Sequence, residues 1–115
     1  MTKNDLLPIK SKKFALQIIR IYTFLRDDKK EFVLSKQILK SGTSIGANIR
    51  EAIRGQSKAD FYAKLFISLK EAEETEYWLE LLYESNLISE TDFKDLYAAC
   101  EEILKLLMAT VKHKV

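Results

Sequence analysis

The side chains best equipped for chemistry in this chain are the carboxylates Glu71, Glu73, Glu74, Glu76, Glu80 and Glu84, crowded into one short stretch. Carboxylates on facing helices can hold a pair of metal ions, but a bundle site of that kind is built on Glu-x-x-His pairs, and none occurs here. Glu51 stands apart from these, with no histidine, nucleophile or second carboxylate at a spacing that acid-base catalysis needs. Cys100 is the one cysteine and His113 the one histidine, so neither an internal disulfide nor a Cys/His metal set can be assembled. The expectation is a protein that is not an enzyme and uses no metal or cofactor. Its acidic groups should be solvated or paired with basic groups of a neighbouring subunit.

A second set of residues points to binding. At about 100° per residue, Lys36, Lys40, Arg50, Arg54 and Lys58 fall within roughly 40° of one direction if a single helix runs through all five. Only Thr43 and Ala47 interrupt this ridge. Cations one helical turn apart can follow a nucleic-acid backbone without reading its bases. Gln37, Ser44, Asn48 and Glu51 lie beside the apolar face of the same helix and are expected to form a polar seam between helices or subunits.

Positioning these groups requires helices. The 115 residues carry 47% apolar side chains, enough for one core, and the only proline, Pro8, lies before the first periodic segment. Ser11 is placed to cap a helix over residues 12–26, where Phe14, Ile18, Ile21 and Leu25 recur on one stripe. A charged loop, Asp27 to Glu31, follows. Ser35 is the expected cap of a second helix over 36–54, with Leu34 and Leu39 as a staple, and Gly55 is placed for a left-handed C-terminal residue. Ser57 and Ser89 begin capping-box-like starts of helices over 58–85, ending at Asn86, and 90–112. Short connections make neighbours antiparallel, predicting an all-α, up-down-up-down four-helix bundle formed by a single domain over residues 1–115.

Several side chains exceed what a bundle core consumes. Ser41 joins Leu34, Ile38, Ile45, Ile49 and Ala52 on the inward stripe of the second helix, whereas Gly42 and Gly46 would let another backbone approach closely. In the third helix Phe61, Leu65, Leu69, Ala72, Leu79 and Tyr83 point inward, while Phe66, Ile67, Tyr77, Trp78 and Leu81 project roughly the other way. Exposed aromatic and aliphatic groups in such a row are expected to be an oligomer interface. Cys100 falls on the apolar face of the fourth helix and is expected to be an inert, buried thiol.

Charge is distributed unevenly: 15 Lys/Arg against 6 Asp/Glu in residues 1–70, and 4 against 11 in residues 71–115, for a net +2. Opposite halves of this kind help antiparallel helices pack, and also offer a basic surface to phosphates or to an acidic partner. The N-terminal residues lack the apolar core of a signal peptide, and no later stretch approaches a membrane span. The expected localisation is cytoplasmic.

The run from Gln37 to Ala52, with its Ser-x-x-Ser-Ile-x-x-Asn-Ile-x-Glu-Ala core, is followed by Ser57, Asp60-Phe61 and the stretch Lys70 to Leu79. These residues resemble the four-helix-bundle family of bacterial rRNA intervening-sequence proteins, to which the accessory protein of diversity-generating retroelements is also similar. The resemblance spans nearly the whole chain. It implies an antiparallel four-helix bundle assembled into a homopentamer, no catalytic residues, and a basic surface for RNA or another nucleic acid to which Lys36, Lys40, Arg50 and Arg54 are candidates. Function is therefore expected to be non-enzymatic, RNA-related and homo-oligomeric. The alternative is a scaffold whose ridge docks an acidic or polymerase-type protein such as a reverse transcriptase.

Overall fold

The computed structural model describes residues 3–113. Four helices follow one another: α1 (Lys3–Asp27), α2 (Leu34–Ile53), α3 (Lys58–Glu84) and α4 (Glu90–Val111). They form a bundle of 44 × 22 × 21 Å. Each helix packs on two neighbours, α1 on α2 and α4, α3 on α2 and α4, so that α1 and α3 occupy opposite corners.

Pairs of touching residues give the directions. Ser11 and Ile18 of α1 approach Gly46 and Gly42 of α2. Ser41 and Ile45 of α2 meet Thr75 and Ser68 of α3, and Ala72 and Glu80 of α3 meet Cys100 and Tyr97 of α4. Numbers rise on one helix as they fall on the next, so every neighbour is antiparallel. Phe14, Ile18, Leu25, Ile38, Ile45, Ile49, Leu65, Leu79, Leu82, Ile103 and Leu107 fill the interior.

The α1/α2 seam is close because of its two glycines. A Cβ on Gly42 would sit 2.8 Å from Ile18 Cγ1, and one on Gly46 would sit 3.1 Å from Ser11 Oγ. Close approach of α1 therefore accounts for two residues that individually weaken a helix by about 1 kcal/mol.

Four local expectations are corrected. α1 begins at Lys3, not after Ser11, and runs through Pro8. Proline removes one helical hydrogen bond, but the added turns bury Leu7 in the core. Ser11 is itself buried and donates to the Pro8 carbonyl at 3.3 Å.

Ser35 does not cap α2. It lies inside the helix, fully buried, and its hydroxyl donates to the Glu31 carbonyl at 2.8 Å. The cap is the Glu31 carboxylate, which accepts from the N–H groups of Val33, Leu34 and Ser35 at 3.2, 3.0 and 2.8 Å. Burial pushes this carboxyl up, but the three backbone donors and the Ser35 hydroxyl outweigh it and leave Glu31 below the usual carboxylate range.

Gly55 is not left-handed, since no glycine among the described residues has positive φ. Its N–H donates to Ala52 at 3.1 Å, and a Cβ there would lie 3.2 Å from Asp60 Cβ, so it is the tightness of the α2/α3 corner that favours glycine. Helical phase also fails to persist to Lys58, which opens α3 instead of continuing α2.

Other signals appear as expected. Ser57 and Ser89 accept from the N–H groups of Asp60 and Asp92 at 3.0 and 3.1 Å, and Asn86 ends α3 with φ 63°. Leu87 N–H then reaches back to the Leu82 carbonyl at 2.9 Å, the bond that closes a left-handed helix end.

Candidate nucleic-acid interface

Lys36, Lys40, Arg50, Arg54 and Lys58 are all exposed. None of them forms a salt bridge among the described residues. Within α2 the set is parted at Thr43 and Ala47, and Lys58 leaves the helix altogether. Lys36 and Lys40 occupy the first turns of α2, Arg50 lies ten residues further on, about 15 Å along the axis, and Arg54 is the residue that terminates the helix. Between them Thr43 turns its hydroxyl back onto the Leu39 carbonyl at 2.7 Å.

Arg50 and Arg54 instead belong to a groove of about 720 Å³ between α1, the end of α2 and the start of α3. Lys12 of α1 and Lys64 of α3 also line it, with Ala15, Gly46 and Ala47 among its small residues. Lys64 is held by Glu51 at 3.1 Å. Neither Lys12 nor Lys64 has any periodic relation to the second helix, so only the packing of α1 and α3 against α2 joins them to the arginines.

The four residues expected to form a polar seam all lie on α2, and their bonds run mostly within that helix. Ser44 Oγ donates to the Lys40 carbonyl at 2.7 Å and Asn48 Nδ2 to the Ser44 carbonyl at 2.8 Å, both inside α2. Gln37 is exposed at the other end of this flank, and Glu51 alone of the four reaches α3, through Lys64. The polar links within the core are made by other residues. Thr75 Oγ1 donates to Ser41 Oγ at 2.8 Å, and Ser68 Oγ to the Ile45 carbonyl at 2.8 Å. Both serines and the threonine are buried. Short hydroxyls that bond a neighbouring backbone or one another satisfy themselves in an apolar interior.

The acidic stretch of α3 divides by face. Glu73, Glu74 and Glu84 are exposed, and Glu74 accepts from Trp78 Nε1 at 3.2 Å. Glu76 departs from the expectation of solvated carboxylates: it turns toward α4, where its Oε2 is buried without a hydrogen-bond partner. Burial, then the charges of Glu101, Glu80 and Glu73, and a hydrogen bond with Glu101, raise its carboxyl to about 7. Nearby, Tyr97 donates to Glu80 Oε2 at 3.1 Å. Burial first, and then the charge of Glu76, hold the Tyr97 hydroxyl up at about 12. Cys100 is fully buried, donates to the Ala72 carbonyl at 3.4 Å and is raised far above the usual thiol range by burial. Glu71 is pushed up by burial and by Glu74, and Lys40 opposes both. Among the described residues no group of three His, Cys, Asp or Glu is arranged to hold a metal.

On the outer side of α3, Phe66, Ile67 and Tyr77 are exposed, whereas Trp78 and Leu81 are half-buried. The rings of Tyr77 and Trp78 lie 5.3 Å apart. A second exposed apolar group, unnoticed in the sequence, is Ile9, Leu16 and Ile19 on α1. It escaped notice because a strong inward stripe on the same helix dominates its periodicity. Since α1 and α3 are opposite corners of the bundle, these two apolar faces lie on opposite sides of the molecule.

The sequence profile of the 23S rRNA-intervening sequence proteins matches residues 8–109. The chain belongs to that family. The bundle is also similar to the crystal structure of a protein of unknown function from the S23 ribosomal protein family of Bacteroides thetaiotaomicron VPI-5482. The two are 52% identical with a TM-score of 0.95, over 96% of this chain and 99% of that one. Among curated proteins none matches. Membership in the rRNA-intervening-sequence family gives the chain an rRNA-related context, and this is not a family known for enzymes. No helix among the described residues is long and apolar enough to cross a membrane.

Proposed function

We propose that this protein is a non-enzymatic, homo-oligomeric RNA-binding protein of the cytoplasm that contacts phosphates through the cations of α2. The observation that carries this reading is the set Lys36, Lys40, Arg50 and Arg54, exposed on α2 and its C-terminal cap and joined by Lys12 across the groove, none engaged in a salt bridge among the described residues. Cations that reach solvent without a salt bridge are available to displace the counterions of a polyanion. Lys58, exposed at the start of α3, is included as a separate phosphate contact beyond the corner.

Assembly is supported by the two apolar faces on α1 and α3. Different patches on opposite corners favour head-to-tail contact, which closes into a ring when the rotation between copies permits. The family resemblance implies five copies. A ring repeats each cluster of cations once per subunit, and linked weak sites bind far more tightly than one alone.

The test is binding of the purified protein to a structured RNA at low and moderate salt, with oligomer mass followed by light scattering. Steep weakening with salt is expected, together with loss of binding in an intact oligomer carrying Lys36→Ala, Lys40→Ala, Arg50→Ala and Arg54→Ala. Salt-independent binding, or no binding at low salt, refutes phosphate contact. A protein partner of acidic or polymerase type is the second reading. It is favoured by exposed Phe32 and Val33 beside Lys36 and exposed Ile53 beside Arg54, which suit a protein surface better than a phosphate backbone. Co-purification of one protein after nuclease treatment would select it.

A further inference from the structure

The groove that holds Arg50 and Arg54 has a shape that a row of phosphates does not require. Cations on a convex helix face are sufficient to follow a duplex backbone, because phosphates lie on the outside of a duplex. Here the arginines stand instead at the edge of a depression of about 720 Å³, within the size range of pockets that enclose a whole small organic molecule. Its walls come from three helices, and its cations from at least two sides: Lys12 on α1, Arg50 and Arg54 on α2.

Small residues explain why the depression exists. Ala15, Gly46 and Ala47 leave the α1/α2 seam without bulky side chains, and Gly46 cannot carry a Cβ without crowding Ser11 at 3.1 Å. Gln56 and Asp60 line the end near the α2/α3 corner and offer amide and carboxylate groups. Lys64 is paired with Glu51 at 3.1 Å, whereas Lys12, Arg50 and Arg54 form no salt bridge among the described residues. The combination is two guanidinium groups for a phosphate, small side chains that leave room for a ring, and polar groups at one end for ring edges. Guanidinium planes also stack on bases that have left a helix.

We propose that this groove receives one unpaired nucleotide of a bound RNA, its phosphate held by Arg50 and Arg54 and its base laid against Ala15, Gly46 and Ala47. The proposal rests on the phosphate-binding reading and deepens it, for it predicts selection of bulged or looped RNA over uninterrupted duplex. Paired nucleotides cannot enter, because their bases are stacked inside the helix.

The experiment compares two RNA hairpins by fluorescence anisotropy. They have the same number of phosphates, one fully paired and one with a single-nucleotide bulge. The unsubstituted protein should bind the bulged hairpin about threefold to fivefold more tightly, the effect of one ring partly buried against small side chains. Ala47→Leu, a change at an exposed helical position that removes no charge, should fill the floor and abolish the preference while retaining affinity for the paired hairpin. Equal affinities in the unsubstituted protein, or a preference that survives Ala47→Leu, overturns the nucleotide groove and leaves phosphate contact standing. Failure to bind either hairpin at low salt overturns both.

Discussion

Replacing Glu76 by glutamine should stabilise the protein at alkaline pH and leave it unchanged at acid pH. The carboxyl of Glu76 on α3 faces Glu101, Tyr97 and Cys100 on α4 and has Glu73 and Glu80 on its own helix, so no cation offsets its charge among the groups that act on it. Its Oε2 is buried without a donor. A proton on Glu76 removes the repulsion from Glu101 and supplies a donor where none is present. The folded-state value is raised from 4.5 to about 7. The fold therefore favours the protonated form. Below pH 4.5 the group costs nothing, the penalty grows between 4.5 and 7, and it is complete above 7. At about 1.4 kcal/mol per pH unit the full displacement would amount to about 3 kcal/mol. Solvent reaches part of the side chain, and screening reduces this to about 1–2 kcal/mol. A glutamine amide carries no charge and brings a donor of its own, so Glu76→Gln should recover that amount. Thermal unfolding followed by circular dichroism at pH 5 and pH 8 is the assay. The variant should melt about 4–8 °C above the unsubstituted protein at pH 8 and only about a quarter as far above it at pH 5. A difference that is the same at both pH values would refute the reasoning.

Three further outcomes follow from the same geometry. Glu31→Ala removes the acceptor of three α2 N–H groups and should cost about 1–2 kcal/mol in urea unfolding at pH 7; because Glu31 titrates below the usual carboxylate range, the difference should shrink as pH falls through that low value. Gly42→Ala gains about 1 kcal/mol of helix propensity but places a methyl 2.8 Å from Ile18, and overpacking should leave it about 1–2 kcal/mol less stable; an unchanged urea midpoint would show that α1 yields freely. Phe66→Ser with Tyr77→Ser changes exposed positions of α3, so helix content by circular dichroism should persist while oligomer mass by light scattering falls; an unaltered mass would remove this face from the interface.

Helix number, type and most ends were legible because each depends on local chemistry. Ser57 and Ser89 cap their helices through the third residue on, and Asn86 takes the left-handed conformation that closes α3. The inward residues of α2 were readable from a period of 3.6, since burial on one face leaves a regular trace. Gly42 and Gly46 signalled a close neighbour because glycine inside a helix is costly unless space is short.

The sequence alone determined the four helical segments and the identity of the cations. What only tertiary structure decided is which of those groups share a place. Ser35 looked like a cap but is core, because Glu31 folds back to supply a better acceptor. Lys58 seemed to continue a ridge that in fact breaks at the α2/α3 corner, whereas Lys12 and Lys64, distant in the chain, come to line the groove of Arg50 and Arg54. Glu76 is indistinguishable by type from its solvated neighbours until α4 packs over it. Periodicity reports the direction in which a side chain leaves its own helix. Its neighbours, its access to water and hence its charge are set by helices elsewhere in the sequence, whose approach no local pattern records.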